Sequence, residues 1–253
     1  MPPNTPTPLR FPGSRRGLIV VGTDTGVGKT TVSRGLLRLA ARRGDAFVPA
    51  KPTESGVPLG GLPPDASALL NASGQASLSV SDVCPFPLTL PVTPYVAAQA
   101  AGLALRLDQL LAACETLARR GAPLLVETAG GLLSPLTARE TNADLAAGLG
   151  LPILLVARNA LGTINHTALA VAELRRRQLP LRGVILCDTQ ADGPDAPTNQ
   201  PCIETLCGPV VLGRLPHLPA GTDDALADAL ASQPAVVALI EAPQGDPSLP
   251  KPT

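Results

Sequence analysis

The chain has 253 residues, with 20 Lys and Arg set against 20 Asp and Glu, so its formal net charge is zero. Without a basic field there is nothing to hold nucleic acid non-specifically, and aromatic residues at 2% with no Trp give little support to a base-stacking platform. Hydrophobic residues make up 45%, enough for a sizeable core in one large domain or two small ones.

Residues 1–16 are proline-rich and lack the apolar core of a secretory signal; they read as a disordered leader. Leu18-Ile-Val-Val21 is an apolar run of buried-strand type. It runs into Gly22-Thr-Asp-Thr-Gly-Val-Gly-Lys29-Thr30-Thr31, which opens a helix near 30–43 with Val32, Leu36, Leu39 and Ala40 on one face. Strand, glycine loop, Gly-Lys-Thr and helix form the arrangement that cradles phosphates. Glycines turn backbone N–H groups toward an anion, and the helix start adds unpaired N–H groups and a positive dipole end. Lys29 suits the β- and γ-phosphates, and the Thr30 hydroxyl suits Mg²⁺. The match to G-x-x-x-x-G-K-[ST] is imperfect, because Thr23 stands where the first glycine belongs and Gly22 lies one earlier.

Further apolar runs follow at Ala46–Ala50, Pro123–Val126, Pro152–Val156, Gly183–Leu186 and Pro209–Leu212, with helical spacing near 107–120, 141–149, 163–178 and 223–231. Continuously apolar strands alternating with helices predict an α/β fold of P-loop nucleoside-triphosphatase type, a mostly parallel sheet with helices on both faces. Ligands then bind beyond the carboxyl ends of the strands. The stretch Leu59–Leu90 reads as loops with one short helix around Asp65–Leu70. The folded part is expected to be a single domain over 17–241, followed by a flexible tail at 242–253. No apolar stretch approaches a membrane span, and the expected location is the cytoplasm.

The strand ends carry the candidate chemistry. Glu127 ends an apolar run before Thr-Ala-Gly-Gly, where an acid can help hold Mg²⁺. Lys51 follows a strand in Lys-Pro-Thr-Glu-Ser55-Gly56 and reads either as a clamp on an anionic intermediate or as a surface lysine. Asp65, in Pro-Asp-Ala-Ser-Ala, reads first as a helix cap and second as a metal ligand. Thr163-Ile-Asn-His166 opens a helix whose N–H groups suit a carboxylate, with capping by Thr163 or Asn165 as the alternative. Cys84, Cys114, Cys187, Cys202 and Cys207 are odd in number and form no C-x-x-C, so they read as free thiols.

Taken together, these segments resemble the dethiobiotin synthetases. The resemblance runs from residue 17 to about 220 through G-T-D-T-x-V-G-K-T (Gly22 to Thr30), K-P-x-x-S-G (Lys51 to Gly56) and Asp65 before a short helix. It continues with P-x-x-P (Pro91 to Pro94) before an alanine-rich helix, V-E-x-A-G-G (Val126 to Gly131), L-P-x-x-L-V (Leu151 to Val156) and L-G-x-I-N-H (Leu161 to His166).

The resemblance implies that 7,8-diaminononanoate captures CO₂ as a carbamate. The carbamate takes the γ-phosphoryl group of ATP and, as a mixed anhydride, closes to a cyclic urea. It implies that Lys29, Lys51 and Thr25 serve catalysis and that Thr30, Asp65 and Glu127 hold Mg²⁺. The nucleotide site is then Thr23, Asp24, Thr25, Gly26, Val27, Gly28, Lys29, Thr30 and Thr31, with Glu127, Cys187, Pro216 and His217. The substrate site is Lys51 and Ser55, with Gly162, Thr163, Ile164 and Asn165 from a second subunit, so a homodimer with the active site at its interface is implied.

Three positions depart from the family pattern. Gly26 is glutamate in some relatives. Thr128 replaces a frequent glycine and adds bulk beside the substrate. Cys187 stands where some relatives place an adenine-reading asparagine, and a thiol is a poor substitute for an amide. Two other loops of this type belong to cobyrinate-type amidotransferases, which need a glutaminase domain, and to partition ATPases, which carry a second lysine early in the loop. This chain shows neither feature.

Overall fold

The computed structural model describes residues 17–188, 196–218 and 221–241. The expected leader and tail lie outside them. In chain order the elements are β1 (Gly17–Gly22), α1 (Lys29–Arg42), β2 (Val48–Ala50), β3 (Thr53–Ser55), α2 (Pro64–Ser73), α3 (Val80–Val83), β4 (Phe86–Leu88), α4 (Pro94–Ala100) and α5 (Leu107–Ala118). Then come β5 (Leu124–Gly131), α6 (Asn142–Leu149), β6 (Ile153–Arg158), α7 (Thr163–Arg176), β7 (Leu181–Cys187), α8 (Ala196–Cys207), β8 (Val211–Leu215), α9 (Asp223–Ala231) and α10 (Pro234–Glu241).

Six strands form one parallel sheet in the order β2-β5-β1-β6-β7-β8. The apolar runs explain this. Side chains alternate across a strand, and both faces here are covered, so the strands are apolar along most of their length. Ile19 and Val21 of β1 and Leu155 of β6 join one core layer with α5, α6, α7 and α8. Leu18 and Val20 of β1 and Leu154 and Val156 of β6 join the other layer with α1, α2, α9 and α10.

The segment expected to be mostly loop, Leu59–Leu90, holds more order. The helix expected around Asp65–Leu70 runs over α2, and α3 and β4 follow it. The Ser79 N–H donates to Asp82 Oδ2 at 2.8 Å and the Asp82 N–H to Ser79 Oγ at 3.2 Å, a reciprocal cap that starts α3. Phe86-Pro-Leu88 has no period of its own. It becomes a strand by pairing with β3.

The order of the sheet brings the ends of β1, β5 and β2 side by side. A bulge between Val20 and Gly22 lets β5 run past the end of β1. The Leu132 N–H then bonds to the Gly22 carbonyl at 2.9 Å and the Thr23 N–H to Val156 O at 2.9 Å, so the glycine loop leaves the sheet tied on both sides.

Candidate active site

The glycine loop turns through Gly28, whose φ of +97° lies in the left-handed region, and α1 starts at Lys29. The displaced first glycine of the motif has a steric reason. A Cβ on Gly22 would stand 2.7 Å from Asp24 O and 2.9 Å from Lys29 Nζ. Only glycine lets the lysine fold back to donate to the Asp24 carbonyl at 3.0 Å. Lys29 is buried, and burial lowers its pKa while Glu127 opposes that shift.

Glu127 is fully buried in the middle of β5, just past its apolar run. Its Oε1 accepts from Thr30 Oγ1 at 2.8 Å and from Lys51 Nζ at 2.6 Å, while Oε2 is buried without a hydrogen-bond partner. Lys51 also forms an ion pair with Asp65, and its side chain is 4% exposed, so the surface-lysine reading falls. Burial lowers the Lys51 pKa, but Glu127 and Asp65 outweigh it and hold the ammonium above its ordinary range. Residues 97 apart in sequence, Thr30 and Glu127, thus meet at one oxygen.

Asp65 is not the cap of α2. It lies inside the first turn after Pro63 and Pro64, and its carboxylate goes to Lys51. Glu54 does the capping: its two oxygens accept the Asp65 and Ala66 N–H groups, both at 2.9 Å. Burial raises the Glu54 pKa although these two bonds oppose it. Asn142, also unforeseen, is fully buried and donates to Ala129 O at 2.7 Å and Gly131 O at 2.8 Å, fixing the backbone beyond Glu127.

A cleft of about 480 Å³ opens over these groups. Thr25, Gly26, Gly28, Lys29, Thr30 and Thr31 line one side, and Lys51, Ser55 and Asp65 another. Cys187, Pro216 and His217 also line it. Thr25 is exposed, its N–H bonded to Asp24 Oδ1 at 2.7 Å, and the Val27 side chain is buried beneath the loop. Thr23 keeps its backbone bond to the sheet and does not line the cleft, nor does Asp24 or Glu127.

Thr128 does not crowd the cleft. Its side chain is buried and its hydroxyl reaches Val20 O at 3.3 Å, and it is Ala129 and Gly130 that line the cleft. Cys187 packs so closely on the loop that a Cβ at Gly28 would meet its Sγ at 2.3 Å. Burial pushes this thiol up to about 12, so it stays protonated. The neighbouring Asp188 accepts from Asn159 at 2.7 Å and Arg214 at 2.6 Å.

Gly162, Thr163, Ile164 and Asn165 open α7 but do not line this cleft. The capping alternative for Thr163 and Asn165 fails: the N-cap is Gly162, with φ +94° and no side-chain cap, and Thr163 is buried.

The Thr30, Asp65 and Glu127 oxygens form a hard donor set, and Glu127 Oε2 lacks a protein partner, so these residues fit Mg²⁺. A parallel sheet, a glycine loop on a helix N-terminus and an acid on one strand beside a lysine at the end of the next define a P-loop nucleoside-triphosphatase. Solved structures agree on the fold. A ParA family ATPase from Chlorobium tepidum matches 92% of this chain and 95% of its own at TM-score 0.51 and 13% identity. The MinC:MinD complex of Aquifex aeolicus matches 93% and 97% at 0.53 and 11%.

Sequence comparison narrows the class. An AAA domain family model matches residues 16–225. The ATP-dependent dethiobiotin synthetase BioD of Anaeromyxobacter dehalogenans strain 2CP-C is 48% identical over 205 residues, 81% of this chain and 91% of that protein. The enzyme of the same name from Bacillus subtilis strain 168 is 37% identical over 80% of this chain and 88% of its own. The chain belongs to the ATP-dependent dethiobiotin synthetase family.

Proposed function

We propose that this chain is the ATP-dependent dethiobiotin synthetase of a biotin-forming pathway, a single domain over 17–241 that closes a cyclic urea from 7,8-diaminononanoate and CO₂. The observation that carries the reading is the meeting of Lys29, Thr30, Lys51, Asp65 and Glu127 under one cleft, on a chain 48% identical to enzymes of that name.

Backbone N–H groups of the loop from Thr23 to Thr31 receive the phosphates, and Lys29 neutralises charge beside them. Thr25, exposed at the loop, faces the transferring group, and Lys51 steadies the carbamate as that group moves. Thr30, Asp65 and Glu127 would hold Mg²⁺, which when bound neutralises phosphate charge. Ser55, at the end of β3, lines the diamine side. Pro216 and His217 flank the base, with Cys187 beside it.

The first turn of α7, Gly162 to Asn165, lies outside this chain's own cleft and serves the substrate carboxylate of a second copy, so the working unit is a homodimer. No helix among the described residues is long and apolar enough to cross a membrane. The cytoplasm is the proposed location.

The test is phosphate release with Mg²⁺-ATP, bicarbonate and 7,8-diaminononanoate, omitting each in turn, with product mass read in parallel. Release that needs all three and yields a cyclic urea is expected. ATP hydrolysis indifferent to the diamine, without a new product, overturns the reading.

A further inference from the structure

Two ammonium groups and two carboxylates gather at and beneath the cleft. Lys29 and Lys51 supply two positive charges, and Asp65 and Glu127 two negative ones. Lys51 lies between the acids: its Nζ is 2.6 Å from Glu127 Oε1 and is paired with Asp65 Oδ2. The same Oε1 takes the Thr30 hydroxyl. The three groups read as metal ligands are therefore already gathered: the Lys51 ammonium holds the two carboxylates, and Glu127 holds the Thr30 hydroxyl.

We propose that Lys51 is a built-in stand-in for the divalent cation, occupying the carboxylate oxygens that metal needs and leaving them when metal and nucleotide arrive together. The inference rests on reading Thr30, Asp65 and Glu127 as the metal ligands.

Charge explains the exchange. A divalent cation placed beside Lys29 and Lys51 would bring four positive charges against two carboxylates in a buried place, an unfavourable sum at low effective dielectric. The phosphates of a nucleotide reverse it. They supply the missing negative charge and give Lys51 a new anionic partner on the cleft side. The lysine that cements the resting site thus becomes the lysine that meets the transferring group, and it does so only when cation and nucleotide are both present. Because Oε2 of Glu127 has no partner, the carboxylate has an oxygen to turn toward a cation as the ammonium leaves.

The test is Mn²⁺ binding to the nucleotide-free full chain, followed by electron paramagnetic resonance, in wild type, Lys51→Met, Glu127→Gln and the double variant. Lys51→Met is expected to bind Mn²⁺ at least about tenfold more tightly than wild type, and the double variant to lose that gain. Equal affinities in wild type and Lys51→Met, with Glu127→Gln still abolishing binding, overturn the stand-in role and leave the metal-site reading intact. Tight binding in Lys51→Met that is indifferent to Glu127→Gln overturns both.

If Lys51→Met does not fold, wild-type chain carrying ¹⁵N at its lysine side chains decides. The Lys51 ammonium signal should move when Mg²⁺ and a non-hydrolysable ATP analogue are added together and stay in place with Mg²⁺ alone. A signal unmoved by both together overturns the proposal.

Discussion

Lys51 Nζ lies 2.6 Å from Oε1 of Glu127, a carboxylate that is fully buried and whose second oxygen has no hydrogen-bond partner. A buried pair of this kind is a weak source of stability, since desolvation offsets most of the Coulomb attraction. Its value lies in holding charge where charge will move.

Glu127→Gln keeps the volume and an acceptor for Thr30 but removes the charge. Lys51 keeps Asp65 as its partner, so the fold should survive with a melting temperature within a few degrees of wild type. Turnover should fall by about 100-fold or more, the scale seen when one preorganised electrostatic group is lost. Initial rates of product formation beside a thermal melt check both halves. Unimpaired turnover would remove Glu127 from the machinery.

Glu54 lines the same cleft and holds α2 by its N-terminal amides, and α2 carries Asp65. No side chain of the helix's own N-cap does this, because Pro63 occupies that place. Glu54→Ala should therefore cost about 1–2 kcal/mol as a lost cap. It should also raise the Mg²⁺ concentration needed for half-maximal activity, because Asp65 loses its anchor. Glu54→Gln retains one good acceptor and should recover part of both effects. Denaturant melts and Mg²⁺ titrations of activity read the two losses separately, and an unchanged Mg²⁺ requirement in Glu54→Ala would break the link to Asp65.

These contacts mark the limit of what the sequence discloses. The strands were legible because burial on both faces leaves mostly apolar residues in them. Lys29, Thr30, Lys51 and Glu127 were legible because each follows such a run. Glu54 was passed over although it sits between Lys51 and Ser55, since its partners are backbone amides of a helix that carry no residue signature. Asn142 is hidden for the same reason, its acceptors being the carbonyls of Ala129 and Gly131. Asp65 shows the opposite error. Its local context predicts a cap, while its actual partner, Lys51, comes from a distant segment. Local rules read local bonds, and this site is assembled from long-range ones.

The helix behind the glycine loop leans on α9. Arg34, Arg38 and Arg42 of α1 pair with Asp223, Asp224 and Asp228, at 2.6, 2.7 and 2.7 Å. Gly35 lets the helices approach: a Cβ there would stand 2.7 Å from Leu230 Cδ1 and 3.2 Å from both Leu226 Cβ and the Leu226 carbonyl oxygen. Gly35→Ala gains about 1 kcal/mol of helix propensity. Overpacking costs about 1–3 kcal/mol, and the backbone oxygen cannot swing aside as Leu230 can. The net should be a loss of about 1 kcal/mol, read as a lower urea midpoint at unchanged slope. A stabilised Gly35→Ala would mean that α1 and α9 separate more readily than their packing implies.

Acid should loosen α7. Glu173 accepts from Arg176 at 2.7 Å and Arg177 at 2.6 Å, and Arg177 also reaches Asp144 of α6 at 2.9 Å. Hydrogen bonds from Arg176, then Arg177, pull the Glu173 carboxyl from 4.5 down to about 2. Between those values the unfolded chain binds the proton and the folded chain does not, so stability rises with pH through that window. The contribution is complete above the ordinary carboxylate range and is lost as pH falls toward about 2. Solvent screens much of it, which leaves about 1 kcal/mol at neutral pH. Glu173→Gln should thus be less stable than wild type by that amount near neutrality, and the two should converge in urea melts as the buffer is taken through the window. A gap that stays constant down to the acid limit would assign the loss to packing rather than to charge.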